Sequence, residues 1–526
     1  MRESEVEEIG MTVDTAQARA SRNTIGDAFR RAAAKHGPRE ALSFGDRRWS
    51  YAALDAAADR VAAGLLALGL DKGDRVVAYG RNSDAYLLAW LGCVRAGLVH
   101  VPANYALTAI ELRYIVEQSG ARALLADPAL RAAVDEMRGG DLAIGWFAGA
   151  GGAIDVLAQA LDERAPRVGL VDLDETDLAQ LLYTSGTTAA PKGAMMTHRA
   201  LLAEYASCLV DCELAYGDRS LAALPLYHSA QMHVFLMPHL LVGAVTTLIE
   251  SPVPEICLGL IEERAITSFF APPTVWISLL RHPDFDRRNL ASLRNIYYGA
   301  SIMPVPVLEE LRRRLPGVRA FNCYGQSEIG PLATVLRPEE HDARPASAGR
   351  PVVNVETRVV DTEMRDVPPG THGEIVHRSP QLLLGYWNKP DETEEAFVGD
   401  WFHSGDVGYL DEEGYLFVVD RVKDIIKTGG VVVASREVEE ALFSHPSVSE
   451  VAVVGLPDPK WIEAVTAVVV LRPGQQPDEA ALIDHARQRL APFKLPKRVI
   501  FAETLPRNTA GKLLKRELRI HYAEGR

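Results

Sequence analysis

Three shortages in this chain each remove a class of protein. Its 526 residues include only five cysteines: Cys93, Cys208, Cys212, Cys257 and Cys323. None forms a Cys-x-x-Cys pair, so the pattern offers neither a zinc site nor a disulfide framework. Cys208 and Cys212 stand at helical i, i+4 spacing, where the simplest reading is two small apolar residues on one helix face. A reduced, cytoplasmic setting fits this usage. The second shortage is positive charge. A net charge of −14 lacks the basic footprint of a nucleic-acid binder, although a local basic funnel toward an anionic ligand remains compatible with it. The third is hydrophobic length. No uncharged apolar run reaches the ~18 residues that a membrane span needs. The acidic opening stretch, MRESEVEEIGMTVDTAQARA, also lacks the basic head and apolar core of a signal peptide. The expectation is a soluble protein without a transmembrane segment, with peripheral contact at a membrane surface left open. No internal repeat of 20–50 residues interrupts the chain.

What is present is an alternation of helix and strand. Chains beyond roughly 250–300 residues usually split into domains. From Thr24 onward, TIGDAFRRAAAKHG and SYAALDAAADRVAAGLLALG carry apolar residues at helical spacing and end on glycine. Short aliphatic or β-branched runs follow: RVVAYG, VHVPAN, ARALLAD, AVTTLIE and ITSFFAP. Strands separated by helices point to α/β layers with largely parallel sheets. After Gly349 the pattern changes to short strands with Pro/Gly turns, a β-rich portion. From about Val422 the chain has its own strands (VAVVGLPD, AVTAVVVL) and helices (REVEEALFSHP, ALIDHARQRLAP), enough for a small α+β domain. The predicted organisation is therefore a flexible tail over 1–21, a large N-terminal domain of mixed sheets and helices over 22–420, and a small mobile C-terminal domain over 421–526. The hinge falls near 420–423.

Five short stretches could carry chemistry. The first, LLYTSGTTAAPKG at 181–193, runs from an aliphatic strand end through Thr184, Ser185, Gly186, Thr187 and Thr188 to Lys192. Glycine and hydroxyl residues let N–H and O–H groups converge on phosphate oxygens, and lysine adds a compact positive charge. It is not a Walker A loop, because Gly193 and Ala194 follow the lysine where Ser or Thr is required. Alone it could equally be a solvated turn. The second, FNCYGQSEIG, holds Tyr324, Gly325, Ser327 and Glu328; a carboxylate beside phosphates is a natural Mg²⁺ partner. The third, WFHSGDVGYLD, sets Asp406 after a Ser-Gly turn, where an acid at a strand end can bind ribose hydroxyls. DRVKDIIKTGG and PRNTAGKLLKREL complete the set, with Lys512 in the last. Taken singly, each has an ordinary surface reading.

In order and spacing the five resemble the motifs of the adenylate-forming superfamily: acyl-CoA synthetases, luciferases and adenylation domains. The resemblance covers about residues 24–518. It implies an enzyme with ATP, Mg²⁺ and coenzyme A as cofactors, in which a carboxylate attacks the α-phosphate of ATP and a thiol then displaces AMP. The substrate carboxylate is already ionised at neutral pH, so no general base is required, and catalysis rests on positioning and charge neutralisation. By the same resemblance Thr184, Ser185, Gly186, Thr187, Thr188 and Lys192 cradle the β- and γ-phosphates. Ser327 contacts the α-phosphate, and Glu328 holds Mg²⁺. Asp406 binds the ribose with help from Arg421. YYGAS looks like the adenine-side and acyl-pocket segment, so Gly299, Ala300 and Tyr324 flank the base, and Ser301 and Gly325 belong to the ATP-binding set. Lys512 bridges the carboxylate and the α-phosphate. Lys423 matches the hinge; Lys427, Gly429 and Gly430 match the face that lines the thiol path after domain rotation. His228 matches a histidine near the acyl site.

Two departures stand out. Val431 and Val432 replace a frequent polar pair after the double glycine, and Ile462 stands where glycine is common. An aliphatic run there reads as a buried strand, and it makes the thiol acceptor less certain than adenylation. In LPLYHSAQMHVFLMPHLLVGA, Met232, Leu236, Met237 and His233 read as core. The segment is greasy and offers no evident anchor for an amino acid, which favours a medium- or long-chain fatty acid. An aryl acid, a carrier-protein acceptor, a catalytically silent binding protein and a homodimeric assembly are the alternatives left open.

Overall fold

The computed structural model describes residues 20–137, 139–149, 151–184, 190–301, 303–421, 424–428, 431–507 and 513–523. Local rules set the helix starts. Thr24 precedes the Ile25–His36 helix; its hydroxyl accepts from the Asp27 N–H (3.3 Å), and the Asp27 carboxylate accepts from the Thr24 N–H (3.2 Å). That reciprocal pair satisfies two donors the helix leaves open. Ser50, Ser83 and Thr197 accept in the same way at the starts of Tyr51–Leu66, Asp84–Ala96 and His198–Asp211. Gly37 ends the first helix as expected. The second stops at Leu66, ahead of Gly69, whose φ of +77° serves the turn that follows.

The fold is α/β, with a large N-terminal domain and a small C-terminal one. A six-stranded sheet runs in the order Ala143–Trp146, Ala123–Ala126, Arg75–Tyr79, Val99–Ala103, Leu178–Thr184, Lys192–Thr197. All its neighbours are parallel except the last pair. A nine-stranded sheet has a parallel centre that includes Ser268–Phe270, Asn295–Gly299 and Arg319–Tyr324. Strands such as Val99–Ala103 and Asn295–Gly299 are buried along their whole length, as parallel strands with both faces covered must be. The β-rich portion is a five-stranded antiparallel sheet built from Glu356–Val360, Gly373–Arg378, Phe397–Val398, Trp401–Leu410 and Leu416–Arg421.

The C-terminal domain centres on the long antiparallel pair Val448–Asp458 and Ile462–Leu471. Its own core joins Ile426, Val438, Leu442, Val453, Val465 and Leu482. Arg421 ends the last strand of the β-rich sheet, and Ile426 begins the first strand of the C-terminal one. Lys423, the expected hinge, lies outside the described residues. Across this junction the Asp420 carboxylate accepts from the Ser435 N–H (2.6 Å) and hydroxyl (2.7 Å) at the start of the Ser435–Phe443 helix. Among the described residues no helix is long and apolar enough to cross a membrane.

Two expectations need correction. Asp406 is not at a strand end: it lies inside the ten-residue strand Trp401–Leu410. Ser404 and Gly405 form an irregularity within that strand, between the pairs Val376↔His403 and Glu374↔Val407. Gly405 takes φ +68°, a conformation glycine adopts without a Cβ penalty. Nor is the aliphatic run at 431–433 wholly buried. Val433 is enclosed, but Val431, the first residue of this edge strand, is 40% exposed.

Candidate active site

Three sheets bring their strand ends or a bulge to one cleft, the arrangement in which open α/β sheets bind ligands. Thr184 ends the Leu178–Thr184 strand and Lys192 opens its antiparallel neighbour, so the two stand directly opposite each other. The loop they bracket includes Ser185, Gly186, Thr187 and Thr188, which lie outside the described residues. The Lys192 Nζ sits 5.1 Å from the centre of the Tyr386 ring. Tyr386 comes from a segment that pairs with the edge strand: Met195 N–H donates to the Gly385 carbonyl (2.9 Å), and Trp387 N–H to the Gly193 carbonyl (2.8 Å).

Glu328 follows the Arg319–Tyr324 strand in a short 3₁₀ turn. Its Oε1 accepts from the Thr184 hydroxyl (3.0 Å) and the Tyr386 hydroxyl (3.3 Å). One carboxylate oxygen is thus tied to the Thr184–Lys192 hairpin. The donor set fits Mg²⁺, which takes one or two protein carboxylates and completes its shell with phosphate oxygens and water; Glu328 is the residue that would hold it. Burial, then the Glu328 charge and hydrogen bond, drives the Tyr386 phenol upward, so it stays a donor at neutral pH. The neighbouring Ser327 hydroxyl lies 2.9 Å from that of the buried Ser229.

The constellation around Asp406 is equally well ordered. Asp406 is only 5% exposed. Its Oδ2 accepts from the Tyr324 hydroxyl (2.8 Å), and its Oδ1 lies 3.0 Å from the Arg421 Nε, directly across the strand pair. Burial disfavours the Arg421 charge; the Asp406 carboxylate, with Glu328 behind it, more than offsets this and holds the guanidinium pKa up. Burial likewise raises the Tyr324 phenol, with Asp406 adding to it.

Two glycines exist because backbones meet. A Cβ on Gly299 would fall 2.2 Å from the Cys323 carbonyl oxygen, and one on Gly325 would fall 1.9 Å from that of Pro331. Ala300, at φ +61°, and Ser301 follow as exposed residues at the cleft. His228, Ala230, Gln231, Leu224, Phe270 and Ala300 line a shallow recess.

Behind the cleft, Gln180 links two buried histidines: its amide lies 3.0 Å from His100 Nδ1 and 2.8 Å from His233 Nε2. His233 Nδ1 then meets the Tyr205 hydroxyl at 2.8 Å. His233 is therefore a core residue, as expected, and Met232, Leu236 and Met237 are buried beside it. Glu204, fully buried, accepts from the Leu332 N–H (3.0 Å) and the Gln381 amide (2.5 Å), bracing the turn that follows Glu328.

The structure brings together Thr184, Lys192, Ser327, Glu328, Tyr324, Asp406 and Arg421. Lys427 stands apart, exposed in the C-terminal sheet with its N–H donating to Glu463 (2.6 Å). Gly429, Gly430 and Lys512 lie outside the described residues. Sequence reasoning missed Tyr386, Ser229 and Gln231. Ser229 and Gln231 flank positions already singled out in LYHSAQMH, so an alternation of polar and apolar residues beside His228 was the available signal. Tyr386 had none, since its role depends on pairing with a strand almost two hundred positions earlier.

Comparison with known proteins supplies the class. Residues 29–387 match the model of the AMP-binding enzyme family, and residues 437–512 match that of the AMP-binding enzyme C-terminal domain. The chain belongs to the AMP-binding enzyme family, and within it to the adenylate-forming acid–CoA ligases, which use ATP, Mg²⁺ and coenzyme A. It is 37% identical over 482 residues to a feruloyl-CoA synthase of an Amycolatopsis species, covering 92% of this chain and 96% of that one. It is 33% identical to a long-chain-fatty-acid–CoA ligase of Mycobacterium tuberculosis, over 91% and 94% of the two chains. Among solved structures it superposes with a TM-score of 0.89 on an anthranilate CoA ligase in complex with anthranoyl-AMP, at 27% identity over 95% and 97%.

Proposed function

We propose that this chain adenylates a compact aromatic carboxylic acid and transfers the acyl group to coenzyme A, releasing AMP and pyrophosphate. The observation that carries the choice of acid is the recess beside Ala300. The wall that Phe270 forms is backed by solid packing: Phe270 stacks on Phe235 at 4.4 Å, and Tyr297 and Phe321 extend the column at 4.9 and 5.0 Å. A flat ring suits such walls, whereas a long alkyl chain needs depth. Similarity to a feruloyl-CoA synthase and an anthranilate CoA ligase supports the same choice.

In the first half-reaction the acid's carboxylate attacks the α-phosphorus of ATP and pyrophosphate leaves. Asp406 and Arg421 hold the ribose, and the Thr184–Lys192 hairpin holds the departing phosphates. Ser327, kept in place by Ser229, donates to an α-phosphate oxygen. Mg²⁺ held by Glu328 neutralises charge on the leaving group when bound. Lys512 bridges the attacking carboxylate and the α-phosphate. In the second half-reaction a thiolate of coenzyme A attacks the acyl carbon and AMP leaves, with Lys427, Gly429 and Gly430 along the thiol path and Lys423 as the hinge.

A medium- or long-chain fatty acid is the second reading, favoured by the apolar side chains of the recess and the similarity to a long-chain ligase. Pyrophosphate release across benzoic, phenylpropenoic and C4–C18 alkanoic acids, with and without coenzyme A, separates the two. Higher kcat/KM with C12–C18 acids than with every aromatic acid overturns the first.

A further inference from the structure

The recess contains one polar group with nothing to bind. Gln231 is 1% exposed and sits in the π-helical turn Ala230–Leu236. Its Oε1 accepts from the Leu224 N–H (3.2 Å), which fixes which end of the carboxamide is oxygen and which is nitrogen. The Nε2 is enclosed and has no hydrogen-bond partner. Gln231, Leu224 and Phe270 are all walls of the same recess. Leaving a buried donor unmade costs on the order of 1–3 kcal/mol, so an amide kept here in an otherwise apolar wall calls for an acceptor. The hydrogen bond from the Leu224 N–H holds the oxygen end of the amide in place.

We infer that the Gln231 Nε2 donates a hydrogen bond to an oxygen carried on the ring of the aromatic acid, so that Gln231 is the residue that selects an oxygen-substituted ring over a bare one. The inference rests on the aromatic-acid reading above. A phenol, aryl ether or ring carbonyl oxygen all supply the acceptor. Without it the amide stays unmade when the pocket closes on substrate, and a site built around a hydrogen bond discriminates more strongly than one built on shape alone.

The test compares acids that differ only in the ring oxygen, such as benzoic against hydroxybenzoic acids and cinnamic against 4-hydroxycinnamic and 4-methoxycinnamic acids. The readout is kcat/KM for pyrophosphate release by the full-length enzyme. In the wild type, at least one oxygenated acid of each pair is expected to lead by roughly 10- to 100-fold. In Gln231→Leu that lead should collapse to within about threefold, mainly through the KM of the oxygenated acid. Gln231→Glu keeps an acceptor for the Leu224 N–H and removes the donor, so it should lose the preference even if Gln231→Leu folds poorly. Aromatic acids turning over with no advantage for ring oxygen in the wild type overturn this inference and leave the aromatic reading standing. An advantage that survives both substitutions also overturns it. Alkanoic acids outrunning every aromatic acid overturn both.

Discussion

The two halves of the cleft are finished to different degrees. On the nucleotide side the polar groups are already engaged: Asp406 with Tyr324 and Arg421, Glu328 with Thr184 and Tyr386, Ser327 with Ser229. On the acyl side the walls are apolar and one amide waits for a partner. The difference follows from what each half must do. ATP is invariant, so its charges are met by donors and acceptors fixed in advance, which spares reorganisation during reaction. The acid is the variable element, and its half is lined mainly by apolar side chains, with His228 and Gln231 among them.

The largest expected effect tests whether the C-terminal domain completes the nucleotide half. Lys512→Ala should slow pyrophosphate release about 10²–10³-fold, the cost of losing one charge-stabilising contact at the reacting centre. Thioester formation from supplied acyl-adenylate should be spared, because that step does not involve the α-phosphate attack. Equal losses in both steps, measured separately, would place the lysine in folding or in the hinge instead.

Next comes the histidine pair behind the acyl half. Burial pushes both His100 and His233 down to about 3. In the unfolded chain they titrate near 6.5, so between these values the unfolded state binds more protons. Stability from them is therefore complete above pH 6.5 and is lost as pH falls toward 3. The slope is about 1.4 kcal/mol per pH unit per histidine, or about 2 kcal/mol each at pH 5. Urea midpoints measured from pH 8 to 5 should show this fall, and His233→Gln should flatten it by one proton's worth. An unchanged slope would mean that His233 takes up its proton equally in the folded and unfolded states.

A smaller effect probes how tightly the nucleotide half is ordered. Tyr386→Phe removes one of the two hydroxyls on Glu328 and leaves the ring beside Lys192. At about 1 kcal/mol for such a bond, kcat for adenylation should fall about fivefold, with a raised Mg²⁺ requirement and an unchanged KM for the acid. A change confined to the acid's KM would show that the two halves are coupled through Tyr386.

The same contrast governs what could be read from the sequence. The nucleotide half was legible because its donors sit within short contiguous stretches, and the helix caps and buried parallel strands were legible because local rules decide them. Asp406 stands against Tyr324 and Arg421, yet its placement inside a strand was not foreseen, since a glycine bulge reads like a turn in one dimension. The acyl half was opaque for a physical reason. Phe235, Phe270, Tyr297 and Phe321 come from four different elements, and only their packing sets the depth of the recess.

The smallest effect concerns Ile462, one of the two departures on the C-terminal face. It adopts φ +69° with its side chain 68% exposed, a left-handed conformation that costs a β-branched residue about 1–2 kcal/mol. Glycine removes that strain but gives the unfolded chain more freedom, worth up to about 1 kcal/mol in the opposite direction. Ile462→Gly should therefore stabilise the protein by no more than about 1 kcal/mol in chemical denaturation. Both halves of the cleft lie in the N-terminal domain, so adenylation rates should not move. If pyrophosphate release changes with the stability, the C-terminal face reaches the adenylation step through more than Lys512, and the division between the halves is less clean than their hydrogen bonding implies.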